Sequence, residues 1–262
     1  MLRFGFWKDR THNLARMGMA DLVKAFATYP AVHAYLGLAA ISLYLVQRWF
    51  EGWLPLLIAT GLTIIVYPLV WYVLHRWVLH SQFLYKSPLT AKAWKRIHFD
   101  HHQDPHNLVV LFGALYTTIP TIAIVTLPIG YLVGGLSGAA MAFAAGLLTT
   151  CFYEFCHCVQ HLNTSPKTRF MKRLKQLHMW HHFHNEQGNF GITNFLWDRL
   201  GNTYYPKANM VPKSPTVFNI GYTAEMAQRY PWVAQLSNNT RGDGNPRRFR
   251  ANADATHNGP AE

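Results

Sequence analysis

The sequence predicts an all-α integral membrane protein: four transmembrane helices beneath a cytosolic, histidine-rich helical cap. Three observations predict it. The 262-residue chain is half hydrophobic but only 14% charged, against roughly 25% in ordinary soluble domains. Three long stretches, 25–47, 52–74 and 107–153, contain no Asp, Glu, Lys or Arg. Histidine, at 15 residues, outnumbers the 12 acids. The 3 cysteines are too few for a disulfide scaffold.

The N-terminal segment, 1–30, carries five basic residues and is expected to lie at the cytosolic membrane surface. Its apolar part begins too late for a cleavable signal, and no small-residue cleavage site follows. A helix crosses a bilayer with about 20 apolar residues. The first two charge-free stretches therefore supply one crossing each, at 31–47 and 53–74. The third is long enough for two, at 109–128 and 136–156, and Pro128, Gly130, Gly134 and Gly135 offer the turn between them. Beyond the last crossing, 157–236 mixes polar and aromatic residues and predicts short helices lying against the membrane. Residues 31–236 are thus read as one membrane domain with its cap. The tail, 237–262, is rich in Asn, Gly, Pro and Arg and is expected to be disordered.

The basic residues orient these crossings. Five fall before the first helix, five between the second and third, and thirteen after 157, whereas the two opposite connections hold only Arg48. Positive loops stay in the cytosol, so both termini are expected there. The formal charge of +12 then answers to a lipid bilayer, and no nucleic acid is expected as a partner. Trp49, Trp53, Trp71, Tyr72 and Tyr153 lie near the helix ends, as an aromatic belt does.

Ten histidines fall in four groups on the cytosolic side: His75 and His80; His98, His101 and His102; His157 and His161; His178, His181 and His182. On a helix, positions i, i+3 and i+4 share a face, so the histidines within each of the last three groups are expected to point together. His75 and His80 are five apart, about 140° around an α-helix. They are expected to serve two different metals or to sit where the helix ends. Ten imidazoles exceed the ligand set of one ion and suit two. Imidazole binds zinc, copper, iron and nickel alike, so ligand type does not choose the metal. A structural zinc site is usually four-coordinate and often uses cysteine, a poor match to this set. A metal pair beside lipid points to redox chemistry on an apolar substrate.

Around the ligands, Asp100, Asp104 and Glu154 are candidates to orient the rings, Glu154 because an acid at membrane depth is costly and usually functional. His106 and His184 lie close by but fit no repeated spacing, and are expected outside the ligand set. Cys156 and Cys158, which flank His157, read as small packing residues.

The motifs HRWVLH (75–80), HFDHH (98–102), HCVQH (157–161) and HMWHH (178–182) resemble those of the membrane fatty acid hydroxylase and sterol desaturase superfamily. They look most like the fatty acid 2-hydroxylases, and the likeness runs over residues 55–205, through GNFGITNFLWDRLGNTYY. The resemblance implies a di-metal centre of two iron ions held by the ten matching histidines, with O2 as co-substrate. The implied reaction is hydroxylation of the acyl chain of a fatty acid or complex lipid. A desaturase, or a hydroxylase of sterols, sphingoid bases or carotenoids, would use the same scaffold. Zinc outcompetes ferrous iron at nitrogen ligands and can occupy such a centre in purified protein. Eukaryotic 2-hydroxylases often carry a fused haem domain with a His-Pro-Gly-Gly motif, and these 262 residues contain no such motif. A separate electron donor, cytochrome b5-like or a ferredoxin, is therefore expected. The expected compartment is a bacterial inner membrane, with the endoplasmic-reticulum membrane as the alternative. A non-enzymatic membrane metal carrier is the rival from another class. It fits less well, because transporters place ligands near the bilayer midplane and only His33 lies near one here.

Overall fold

The structure, a computed structural model, describes residues 12–238. Among them the regular structure is helical, apart from an isolated bridge between Asn13 and Asn107. The chain runs α1 (Met19–Ala27), α2 (Pro30–Arg48), α3 (Trp53–Val73), α4 (Pro88–Trp94), α5 (Asp100–Gln103), α6 (Leu108–Leu111), α7 (Leu115–His161), α8 (Arg169–Phe183), α9 (Leu196–Leu200), α10 (Ala224–Arg229) and α11 (Trp232–Asn238). The start of the chain and most of the expected disordered tail, from residue 239, lie outside the described residues.

Among the described residues three segments are long and apolar enough to cross a membrane: Pro30–Arg48, Trp53–Leu79 and Leu108–His161. Pro30 opens the first with its φ preset for a helix and no amide hydrogen to leave unpaired. Gly52, with φ +149°, makes the turn into the second. The third is broken inside α7, where Gly134 and Gly135 leave helical geometry and Gly135 takes φ +55° and ψ −143°, a region open to glycine. The chain folds back there. A Cβ on Gly130 would strike the Gly138 carbonyl, and one on Gly146 would strike Ile122 and Thr126, so the two halves of α7 form a close-packed antiparallel hairpin.

The hairpin packs against both α2 and α3. Its core joins Leu22, Tyr35 and Ala39 to Phe112, Ile122 and Leu147. The outer faces are apolar too, with Ile65 69% and Ile124 74% exposed, as lipid-facing positions should be.

Two details differ from the sequence reading. The apolar segment starts at Leu108, close to the expected 109, but its helix is interrupted: α6 stops at Leu111 and helix resumes at Leu115. In between, Gly113 donates its N–H to Glu154 Oε1 at 3.1 Å, a tertiary bond that hydropathy does not reveal. The second half of α7 also runs on as helix to His161, past the expected end at 156. That extension keeps His157 and His161 on one helix. A second aromatic core (Tyr85, Trp94, Phe99, Tyr222 and Val233) clamps the C-terminal helices onto α4.

Candidate metal centre

The chain leaves α3 in a π-helical turn, Leu74–Leu79. His80 donates its backbone N–H to the His75 carbonyl, five residues back, at 3.1 Å. A π turn stacks residues five apart, so His75 and His80 face one way, and their ring centroids are 5.0 Å apart. Of the two expectations for this pair, the second agrees with the structure: the α-helix ends at Val73 and both histidines sit at that end. The alternative of two different metals assumed α-helical phase, and the π turn brings the rings together. A second π turn, Lys95–Phe99, leads into α5 and carries His98. α7 contributes His157 and His161, and α8 contributes His178, His181 and His182.

The ten histidines form two groups of five. His75, His80, His98, His102 and His181 make one; His101, His157, His161, His178 and His182 make the other. Within each group, one ring nitrogen per residue lies within 4.8 Å of all the others. The groups adjoin, with the rings of His102 and His182 4.3 Å apart. The three histidines of a box do not stay together. His98 and His102 enter one group and His101 the other, and His178 and His182 enter one and His181 the other. Successive residues turn about 100° on an α-helix. Position i+4 thus lies about 40° from i, and i+3 about 60° to the other side. Each three-histidine box straddles both groups.

Nine of the ten are buried and His80 is partly so. For those outside the membrane segments the consequence is direct. Burial, aided by neighbouring imidazoles, holds His80, His98, His101, His178, His181 and His182 well below the usual 6.5. Burial likewise brings His102 down to about 3, against a backbone bond to Val217. Neutral imidazole is the form that binds metal.

Backbone carbonyls set the tautomers. His75 Nδ1 donates to Phe190 O at 2.6 Å, His102 Nδ1 to Val217 O at 2.9 Å and His181 Nδ1 to Gly188 O at 2.8 Å. The Nε2 of each is then buried with a free lone pair and no partner. Partnerless buried ring nitrogens also occur on His80, His101, His161, His178 and His182. Elsewhere Nε2 atoms crowd together: His80 and His98 at 2.7 Å, His157 and His178 at 3.0 Å, His161 and His178 at 2.9 Å. Buried polar atoms without partners are costly, and rings with converging lone pairs repel. A cation at the centre of each group resolves both, so the residues fit two metal ions.

A cavity of about 280 Å³ adjoins the groups. Its apolar walls include Trp71, Leu74, Val78, Leu84, Trp94, Ile97 and Ile192. Besides histidines of both groups, Thr90, Thr117, Thr118, Thr121, Tyr153 and Glu154 bring polar atoms to its lining.

The sequence pattern of the fatty acid hydroxylase family matches residues 60–203, more than half of the chain. The chain belongs to the fatty acid hydroxylase family. It is similar to the Saccharomyces cerevisiae ceramide very long chain fatty acid hydroxylase SCS7, with 31% identity over 54% of this chain and 36% of that protein. The Rattus norvegicus fatty acid 2-hydroxylase is 28% identical over 56% of this chain and 39% of its own length. For the Arabidopsis thaliana dihydroceramide fatty acyl 2-hydroxylase FAH1 the values are 34%, 48% and 52%. The chain thus spans between about a third and a half of these curated relatives. Its fold matches the solved structure of full-length scs7p, in which only the hydroxylase domain is visible. The TM-score is 0.59 at 26% identity, covering 70% of this chain and 68% of that one.

The hydroxylase family match also contains an anchor that sequence reasoning passed over. Asp198 is buried and accepts hydrogen bonds from Phe190 N (2.7 Å), Gly191 N (2.9 Å) and Thr203 Oγ1 (2.8 Å). It thereby fixes the loop whose Phe190 and Gly188 carbonyls hold His75 and His181. The signal lay within GNFGITNFLWDRLGNTYY, but a carboxylate that acts through main chain has no spacing rule. Val217, which holds His102, lies beyond the matched residues. Of the three acids singled out, Asp100 pairs with Lys95 Nζ at 2.7 Å, Glu154 bonds Gly113, and the Asp104 backbone N–H caps α5. His106 and His184 stand outside both groups, donating to the carbonyls of His161 and Val211.

Proposed function

We propose that this hydroxylase-family chain is a di-iron, oxygen-dependent membrane enzyme that hydroxylates the acyl chain of a fatty acid or complex lipid. The observation that carries the reading is the pair of adjoining groups of five buried histidines opening onto an apolar cavity. His75, His80, His98, His102 and His181 would hold one ion, and His101, His157, His161, His178 and His182 the other. When bound, the iron pair supplies reductive O2 activation, in which one oxygen atom enters a C–H bond and the other leaves as water, consuming two electrons and two protons. A separate cytochrome b5-like or ferredoxin donor would deliver the electrons.

The protein's part is geometry and exclusion of water. The carbonyls of Phe190, Val217 and Gly188 fix three rings with Nε2 facing inward. Trp71, Leu74, Val78 and Ile97 give the acyl chain a dry channel ending at the histidines. The relatives are named for hydroxylation of the acyl chain of ceramides or at carbon two of fatty acids, and the proposed substrate follows them. Residues 31–236 would act as one unit. The hairpin in α7 would make two of four crossings, and the distribution of basic residues supports a cytosolic side for the histidines.

Lipid profiling of a host with and without the gene tests the reaction. Acyl chains should gain one oxygen with the wild-type gene and none with His101→Ala or His181→Ala, while both variants still reach the membrane. Loss of two hydrogens instead would make the enzyme a desaturase, and full activity in either variant would overturn the metal assignment.

A further inference from the structure

Three rings are held from behind by backbone carbonyls, and all three belong to the group of His75, His80, His98, His102 and His181. Among the described residues no ring of the other group bonds a carbonyl, and the contacts of its ring nitrogens are with one another. Two of the three carbonyls, Phe190 and Gly188, sit on the loop that Asp198 secures. The third does not. Val217 lies beyond the family-matched residues, in a run of turns before α10. A carbonyl there aims His102 only if something fixes the segment.

Glu186 supplies the fixture. Thr216, the residue before Val217, donates its hydroxyl to Glu186 Oε1 at 2.6 Å, within the range of hydroxyl–carboxylate bonds. Two more bonds zip the same segment to the loop after α8: Ser214 N to His184 O at 2.8 Å, and Asn185 Nδ2 to Pro212 O at 2.9 Å. That loop is braced in turn by Tyr205, whose N–H donates to Asn189 Oδ1 and whose hydroxyl donates to Asn185 O. On its other side the segment meets α5, where the Val217 and Phe218 carbonyls take His102 Nδ1 and Gln103 Nε2. Thr216 thus stands between a braced loop and a candidate metal ligand. Glu186 itself is fully buried. Its Oε1 takes Thr216 and Gln187 Nε2, and its Oε2 has no partner among the described residues. A carboxyl buried with so few partners is costly, and one of the two that it has leads to His102.

We propose that Glu186 is a positioning residue for one metal ion of the pair. Through Thr216 it fixes the Val217 carbonyl, and that carbonyl turns His102 so that Nε2 faces the ion. This rests on the two-metal part of the function proposed above, and adds to it a residue that no histidine spacing marks. The group of His101, His157, His161, His178 and His182 has no such hold, so the effect belongs to the first ion alone.

Zinc binding by the full-length protein in detergent, titrated against a chelator, tests this without turnover. Glu186→Ala should weaken one of the two ions about 10–100-fold, the usual loss when a group orienting a ligand is removed, and leave the other unchanged. Glu186→Gln keeps an oxygen for Thr216 and Gln187 and should bind both ions as the wild type does, which separates the bond from the charge. Added to His102→Ala, Glu186→Ala should cost nothing further, because the ring it positions is gone. Added to His161→Ala, in the other group, its full effect should persist. If Glu186→Ala does not fold, Thr216→Val removes the same bond and Thr216→Ser retains it, with the same pattern expected. Unchanged binding, equal weakening of both ions, additive loss with His102→Ala, or a loss in Glu186→Gln as large as in Glu186→Ala overturns the proposal. Lipid hydroxylation by the iron-loaded wild type is a separate measurement: its absence would sink the hydroxylase reading and leave these affinities standing.

Discussion

A histidine becomes a dependable ligand when its second nitrogen is held, and here main-chain carbonyls do the holding. Asp198 secures the loop that presents two of them. Its Oδ1 takes Phe190 N and Thr203 Oγ1 and its Oδ2 takes Gly191 N. Asp198→Asn keeps the shape but sets an amide N–H against one of those donors in either orientation. Losing a group that orients a ligand from behind typically weakens metal affinity about 10–100-fold. The group that includes His75 and His181 should therefore release its metal to a chelator at correspondingly lower concentration, while the other group keeps its own. Equal retention by variant and wild type, measured by chelator competition, would show that the loop does not set the rings. At this scale the ten histidines were legible because spacing and side of the membrane both marked them. The carbonyl partners were not, since every residue has a carbonyl and only the fold aims one.

Elements are held by close backbone approach as much as by apolar burial. In α7 the hairpin closes where Gly130 and Gly138 touch, and Gly130 also meets Ala142. Gly130→Val would force the two halves apart, at about 1–3 kcal/mol or more for overpacking. The expected outcome is a lower unfolding temperature in detergent. Gly37→Ala is the matched control, because nothing lies within 4 Å of its would-be Cβ and alanine favours helix over glycine. If both variants unfold alike, the halves of α7 are not in tight contact. The charge-free stretches made the long helices readable, because absence of charge over some 20 residues is a large signal, and the glycine cluster marked the reversal. The π turns were unreadable for the opposite reason. One extra residue in a turn changes no composition, yet it brings His80 round to His75 and reverses the α-helical expectation for that pair.

At the scale of the whole molecule, the histidine groups constrain the topology. His98, His101 and His102 precede α7, whereas His178, His181 and His182 follow it, and both sets contribute to each group. Two sets of side chains in mutual contact lie on one side of a bilayer. The chain between them must then cross an even number of times, and the reversal at Gly134–Gly135 would provide two crossings. With α2 and α3 before it, this supports the proposed four crossings, and the basic residues favour the cytosol as the proposed side of the histidines. Single cysteines at exposed positions test it: Lys24→Cys and Lys167→Cys on the expected inner side, Glu51→Cys and Leu132→Cys on the outer. In intact cells an impermeant thiol reagent should label positions 51 and 132 and reach 24 and 167 only after permeabilisation, with the half-buried native Cys151 replaced by serine and Cys156 and Cys158 protected by burial. A single crossing by Leu108–His161 would move position 167 to the outside with 51. That outcome would also part the histidine boxes across the bilayer, so labelling at 167 tests the topology and the shared metal centre together.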